Sequence, residues 1–164
     1  MEKIQKRTPI MIFSATANQR AILAIYAPLL LWIGVIFFLS SGSGSMEHTS
    51  RFIRPLLEFL FPSAAESTLQ LYHSYIRKSA HFTEYAILGL LAARLFITLN
   101  LLKWPLISFA LCAVIAALDE FNQSYIQTRT GSPYDVLLDC LGACFGVGVI
   151  WYINYRRSIR VLSE

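Results

Sequence analysis

Polar residues with acid–base or metal-binding chemistry occur at two places in an otherwise apolar chain. His81 and Glu84 are three residues apart, and Asp119 is followed directly by Glu120. An imidazole beside a carboxylate can act as a general base, and the same groups can bind a divalent ion through nitrogen and oxygen. The candidate catalytic residues are therefore His81, Glu84, Asp119 and Glu120. No nucleophile or metal signature such as His-Glu-x-x-His accompanies them, so no metal site is assigned and no cofactor is predicted.

A second set of polar residues can bind a ligand. Lysine and arginine can meet a phosphate or carboxylate, while carboxylates and amides bind sugar hydroxyls or amines. Helical spacing places Lys78 and Tyr85 on the face of His81, and it places Asp135 and Asp139 on one stripe. The candidate ligand-binding residues are Lys78, Tyr85, Gln123, Arg129, Asp135 and Asp139.

Several of these residues also have a purely structural interpretation. Ser132-Pro133-Tyr134-Asp135 is typical of a helix start, so Asp135 can be a capping residue. Asp139 lies a turn deeper, where an ion pair with Arg129 or Lys78 would also explain it. Asp119 and Glu120 can be solvated charges at a helix end, and a lone histidine is often structural.

The segments between the polar residues are long and apolar. Hydrophobic residues make up 55% of the 164 residues and charged residues 15%, and residues 21–39 contain no charge. A helix of about 20 apolar residues crosses a hydrocarbon core of ~30 Å. We expect an all-α integral membrane helical bundle, one domain over residues 1–164, with about four transmembrane helices at about 21–40, 79–98, 101–121 and 134–153.

The segment after the first span predicts short extracytoplasmic helices. Residues 41–45 form a flexible Ser-Gly link. Phe52, Leu56, Phe59 and Leu60 then recur at the spacing of an amphipathic helix on the membrane surface. Ser63 and Glu66 fit a capping box for a second helix, which either stops near residue 77 or continues into the second span.

Glycines and cysteines lie within the later apolar segments. Gly142-x-x-x-Gly146 allows another helix to approach closely, so the Asp135 and Asp139 stripe should face a neighbouring helix. No Cys-x-x-Cys is present, and the three cysteines are expected to be reduced thiols packed between helices.

The net charge of +4 is spread along the flanks of the apolar segments, which argues against nucleic-acid binding. With four spans the termini share one side, and that side would hold nine of the 14 lysines and arginines. The termini are therefore predicted to be cytoplasmic. The polar residues would then gather at the outer face of the membrane.

Three sequence stretches resemble the VanZ-like family of membrane proteins. They are residues 77–85 (RKSAHFTEY), 119–123 (DEFNQ) and 129–136 (RTGSPYDV), followed by Gly142-Ala143, and together they lie within residues 77–148. The resemblance implies a bacterial multi-pass protein of the cytoplasmic membrane. The family's namesake is associated with resistance to the glycopeptide teicoplanin. No catalytic assignment comes with the resemblance.

Three functions remain open at this point. The first is binding or modification of a lipid-linked envelope precursor or an amphiphilic glycopeptide at the outer face, in contact with membrane lipids. The second is an intramembrane enzyme that uses His81 as a base, or a divalent ion held by His81, Glu84, Asp119 and Glu120. The third is a structural network that seats the helices for a partner. The oligomeric state is not indicated.

Overall fold

A computed structural model describes residues 15–41, 46–125 and 132–163, and within these ranges the chain forms helices and no strand. The five helices are α1 (Ala15–Ser40), α2 (Met46–Leu60), α3 (Glu66–Thr98), α4 (Trp104–Gln123) and α5 (Pro133–Ser163). The all-α prediction is confirmed. The predicted Ser-Gly link falls mostly on residues 42–45, which lie outside the described residues.

Four of these helices are long and apolar enough to cross a membrane, as predicted: Ile22–Ser40, Glu66–Thr98, Trp104–Gln123 and Pro133–Arg160. Two of them are longer than the spans expected from hydropathy. With 33 and 31 residues, α3 and α5 are ~50 Å and ~46 Å long at ~1.5 Å per residue. Because the hydrocarbon core is only ~30 Å thick, each extends beyond it.

The segment after α1 confirms the predicted helix near Phe52 to Leu60 and corrects the predicted start of the next helix. Helix α2 is present over Met46–Leu60, and its exposed apolar side chains include Phe59 at 81% exposure. Helix α3 begins at Glu66 with Ala65 as its cap, and no side chain caps it. The predicted Ser63 cap is wrong, because a turn closed by Ala64 N–H to the Phe61 carbonyl leaves Ser63 outside the helix.

Helix α3 continues without a break through residue 77 into the second span. The alternative that a helix ends there is therefore wrong. No proline lies within α3, and its first glycine is Gly89, so nothing in the local sequence interrupts it. The first turns of α3 consequently extend beyond the start of α5. Tyr72 there packs against Phe61, the residue just after α2, with ring centroids 5.1 Å apart.

Helices α3 and α5 run parallel and in close contact. A side-chain carbon at Gly142 would collide with the carbonyl of Phe82, and one at Gly146 with the carbonyl of Ala86. The close approach predicted for Gly142-x-x-x-Gly146 is therefore confirmed, with α3 as the neighbour. Because Phe82 faces Gly142 and Ala86 faces Gly146, the two contacts also define the register of α5 on α3.

The interior between the spans is filled by apolar side chains from the four long helices. The core comprises Leu29, Ile36, Tyr85, Leu88, Ala92, Leu95, Cys112, Ile115, Ala116 and Ala143. Trp32 on α1 donates a hydrogen bond of 2.9 Å from its indole nitrogen to the backbone carbonyl of Glu84 on α3. The prediction for the cysteines holds for Cys112 and is wrong for Cys144, which is exposed on the outer surface of α5.

Candidate functional site

Buried polar side chains collect at one end of the helix bundle. This end is formed by the end of α1, the middle of α3, the end of α4 and the beginning of α5. Asp119 and Asp139 are fully buried, at 0% exposure, and lie ~6 Å and ~9 Å along their helices from the ends at Gln123 and Pro133. We name this group of residues the polar cluster; it consists of Ser40, His81, Tyr85, Asp119, Gln123 and Asp139.

His81 and Asp139 form the contact between α3 and α5 within this cluster. Nδ1 of His81 lies 3.5 Å from Oδ1 of Asp139, and the His81 side chain is 13% exposed. This is ion-pair range but longer than the ~2.7–2.9 Å of a charge-assisted hydrogen bond. Of the two partners considered for Asp139 from sequence, Lys78 has an exposed side chain, and Arg129 lies outside the described residues.

Asp119 is held by a chain of polar groups that reaches α1. The amide nitrogen of Gln123 donates to Oδ2 of Asp119 at 3.0 Å, one helical turn away. The same nitrogen donates to Oγ of Ser40 at 2.5 Å, at the last residue of α1. Asp119 and Gln123 are four residues apart on one helix, a spacing at which side chains meet, whereas Ser40 was not identified from the sequence. The only indication of Ser40 in the sequence is its position at the end of the first apolar run.

Glu120 has a different neighbour from Asp119 despite being adjacent in sequence. Its Oε1 accepts a hydrogen bond of 2.5 Å from the backbone N–H of Ser132, just before α5. Ser132 in turn accepts from the N–H of Tyr134 at 3.3 Å, which confirms the predicted helix start. Glu120 thus links the end of α4 to the start of α5.

Asp135 pairs with Arg77, which belongs to the 77–85 stretch but is not among the candidate ligand-binding residues. Its Oδ2 lies 3.5 Å from a guanidinium nitrogen of Arg77, and the side chains are 18% and 28% exposed. Arg77 therefore lies at the edge of the polar cluster, toward the bundle end, and Lys78, next in sequence, is exposed. Glu84 is half-buried and within electrostatic range of His81, but it is not grouped with His81, Asp119 and Asp139 as a potential metal ligand.

Three of the clustered side chains have the arrangement of metal ligands. Among the described residues, one ligand atom from each of His81, Asp119 and Asp139 lies within 4.8 Å of the other two. The set named from sequence shared two of these residues but had Glu84 and Glu120 in place of Asp139. Asp139 replaces them because the Gly142–Phe82 contact brings α5 against the His81 face of α3.

Several buried polar atoms in this region have no hydrogen-bond partner. The atoms are His81 Nδ1, Tyr85 Oη, Asp119 Oδ1, Glu120 Oε2, Gln123 Oε1, and Asp139 Oδ1 and Oδ2. Most buried side-chain polar atoms in folded proteins do have a partner. A concentration of such atoms in one place therefore indicates capacity to bind something that the chain itself does not supply.

Comparison with known proteins identifies a family but no individual relative. The family model described as VanZ/LLP1 matches residues 24–154, which include most of all four candidate spans and the whole polar cluster. No curated protein matches the chain. No solved structure matches it either.

Proposed function

The chain belongs to the VanZ/LLP1 family and is a multi-pass membrane protein, and on that premise we propose that its polar cluster binds the polar head of an amphiphilic envelope molecule. The ligand is a lipid-linked envelope precursor, or a glycopeptide that carries a lipid. The protein lies in the bacterial cytoplasmic membrane with its termini in the cytoplasm, so the cluster opens toward the outer face. The proposed orientation follows from the lysine and arginine distribution.

The observation that carries this proposal is the set of unpartnered buried atoms. Placing charged or polar groups at membrane depth is unfavourable unless they are paired. A network that only seated helices would be expected to satisfy its own members. Both carboxylate oxygens of Asp139, the hydroxyl of Tyr85 and the amide oxygen of Gln123 are instead left over. These atoms support a ligand that brings hydrogen-bond donors into the bundle.

The chemistry of the cluster and of its edge supports a particular kind of head group. Carboxylate and amide oxygens accept hydrogen bonds from sugar hydroxyls and amines. Lys78, which is exposed, and Arg77, 28% exposed, can meet a phosphate or a carboxylate. A sugar attached to a lipid through phosphate presents both kinds of group. The apolar side chains exposed on α2, at the same end, can contact the lipid portion.

A second candidate function rests on the His81–Asp139 pair. A histidine whose ring nitrogen faces a buried carboxylate is the arrangement that orients an imidazole for proton transfer. The protein would then modify the head group that it binds. Binding and modification of the head group would use the same residues, so the two functions differ only in whether the ligand is chemically changed.

Photoaffinity labelling of the purified full chain in lipid nanodiscs tests the proposal. The probe is a polyprenyl diphosphate disaccharide with a photoreactive group in its lipid, and teicoplanin is the competitor in a parallel arm. We expect labelling that unlabelled compound displaces. Tyr85→Phe removes only one unpartnered oxygen and Asp139→Asn only one charge, and each should reduce labelling at least tenfold.

Glu58→Gln is the matched control, because Glu58 is an exposed carboxylate at the same end of the protein. It should label like the wild type. Equal labelling of wild type, Tyr85→Phe and Asp139→Asn would contradict binding in the polar cluster. Mass spectrometry of the recovered probe then separates the two candidates, since a changed head group supports an enzyme and an unchanged one supports a binding protein.

A further inference from the structure

We propose that His81, Asp119 and Asp139 bind one divalent transition-metal ion such as Zn²⁺. The three side chains come from α3, α4 and α5, so the ion would join the three helices at the polar end of the bundle. One nitrogen and two carboxylate oxygens form a ligand set that suits zinc and also suits manganese. The inference does not depend on the identity of any envelope ligand, because ion binding can be measured without one.

The spacing of the ligand atoms is the first argument. His81 Nδ1 and Asp139 Oδ1 are 3.5 Å apart, and one ligand atom from each of the three residues lies within 4.8 Å of the other two. Two ligands bound tetrahedrally at ~2.0–2.1 Å from zinc are separated by about 3.4 Å. The His81–Asp139 distance is therefore close to that of two ligands of one ion. It is too long for the direct hydrogen bond that a simple His–Asp pair would form.

The availability of lone pairs is the second and independent argument. His81 Nδ1, Asp119 Oδ1 and both oxygens of Asp139 are buried and have no hydrogen-bond partner. Asp139 and Asp119 are each 0% exposed, so water does not satisfy them from the surface. The two carboxylates bring negative charge into a membrane-embedded interior, and a divalent ion supplies the compensating charge.

The surroundings of Asp119 resemble the support that metal ligands receive in proteins. Gln123 occupies Oδ2 of Asp119 at 3.0 Å and is itself bonded to Ser40, which leaves Oδ1 for the ion. Such outer hydrogen bonds orient a ligand, and their loss typically costs ~10–100-fold in metal affinity. Gln123 is therefore a positioning residue in this proposal and does not contact the ion.

Three protein ligands leave one position of a tetrahedral ion open. Zinc sites of this kind hold a water molecule or a substrate atom in the fourth position. Tyr85 Oη and Gln123 Oε1, both buried and without partners, belong to the same polar cluster and can hydrogen-bond to a group at that position. An ion here would also allow a phosphate or hydroxyl oxygen to bind in a carboxylate-rich interior that would otherwise repel an anion.

The test is metal binding by the purified full chain in nanodiscs. Protein is stripped with a chelator and titrated separately with Zn²⁺, Mn²⁺ and Mg²⁺ by calorimetry, and bound metal is counted by mass spectrometry. We expect one transition-metal ion per chain, bound at least tenfold more tightly than Mg²⁺. His81→Gln, Asp119→Asn and Asp139→Asn should each weaken binding at least tenfold, and Gln123→Leu about tenfold.

Glu58→Gln is the matched control, because it removes an exposed carboxylate on α2 that pairs with Arg54 instead. It should bind the ion like the wild type. X-ray absorption of the zinc-loaded protein provides a second readout and should report one imidazole among nitrogen and oxygen ligands. The proposal would be overturned if folded wild type that has been stripped and re-supplied with metal binds no ion. Equal affinity in Glu58→Gln and Asp139→Asn would overturn it as well.

Metal binding and head-group binding can fail separately. Photoaffinity labelling that persists in chelator-stripped protein, combined with no ion binding, would overturn the metal site and leave the proposed function standing. Stoichiometric ion binding without any displaceable labelling would support the metal site and count against the proposed ligand.

Discussion

Nδ1 of His81 and Oδ1 of Asp139 face each other 3.5 Å apart across the contact between α3 and α5. The residues belong to different helices, and their meeting depends on α5 lying against α3 with Gly142 at the carbonyl of Phe82. The pair is only one part of a site in which Asp119 and Glu120 are also buried. Its effect on stability therefore depends on whether the site exists to hold the helices or to hold a ligand.

Asp139→Asn distinguishes these two roles through the free energy of unfolding. Removing one partner of a fully satisfied buried ion pair costs ~3–5 kcal/mol. Asp139 instead lies near other buried carboxylates and makes no hydrogen bond, so its neutralisation removes repulsion as well as attraction. In metal-free protein we expect a change within ~1 kcal/mol, in keeping with functional groups that do not optimise stability. Denaturant titration in detergent micelles measures it.

A loss of several kcal/mol in Asp139→Asn would favour the structural network over the ligand site. Glu58→Gln, on the exposed surface of α2, is the reference variant for effects of expression and purification. It should leave the free energy of unfolding unchanged.

Gly146→Ala should destabilise the bundle. The added carbon would collide with backbone atoms of Ala86 and Leu90, which cannot rotate away as a side chain can. Overpacking of this kind costs ~1–3 kcal/mol and would separate α5 from α3. Gly148→Ala, two residues further on, meets nothing within 4 Å and should leave the melting temperature unchanged. Equal melting temperatures for the two variants would be inconsistent with the described helix contact.

The Arg77–Asp135 pair should contribute little to stability. The distance is 3.5 Å and both side chains are partly exposed, at 28% and 18%. Such pairs are worth ~0.2–1 kcal/mol and are weakened by salt. A double-mutant cycle with Arg77→Gln and Asp135→Asn should give a coupling energy below ~1 kcal/mol. A coupling of several kcal/mol would mean that the two charges are desolvated together in the membrane.

Labelling of single cysteines tests the proposed orientation. Ser63 lies exposed between α2 and α3 on the side of the polar cluster, and Ser158 lies exposed near the end of α5 on the other side. In a folded variant without Cys112, Cys140 and Cys144, an impermeant thiol reagent applied to intact cells should label Ser63→Cys. It should label Ser158→Cys only after the cells are permeabilised. The reverse pattern would place the polar cluster at the cytoplasmic face and redirect the search for a ligand.

The spans and the amphipathic helix α2 could be predicted because they follow from local composition. A membrane-spanning segment needs a run of apolar residues and a fully hydrogen-bonded backbone. Both properties can be recognised from the sequence of that segment alone. The length of α3 was left open and that of α5 was underestimated, since hydropathy marks the part of a helix in hydrocarbon and not its extension beyond it. The Ser63 cap was predicted wrongly because the turn from Phe61 to Ala64 leaves Ser63 outside the helix, which starts at Glu66.

For the site, the sequence alone determined which end of the bundle is polar, because the order of spans brings the end of α4 and the start of α5 to one side. It also placed His81, Asp119 and Asp139 among the candidates.

Only the tertiary structure decided which groups meet. Glu84 is ~60° around the helix from His81 and Tyr85 ~40° the other way, so spacing leaves both at the edge of one face. The register of α5 on α3, fixed by glycines against backbone carbonyls, turned His81 toward Asp139, and the packing of α1 added Ser40. Such relations join residues distant in sequence, and local periodicity carries no information about them.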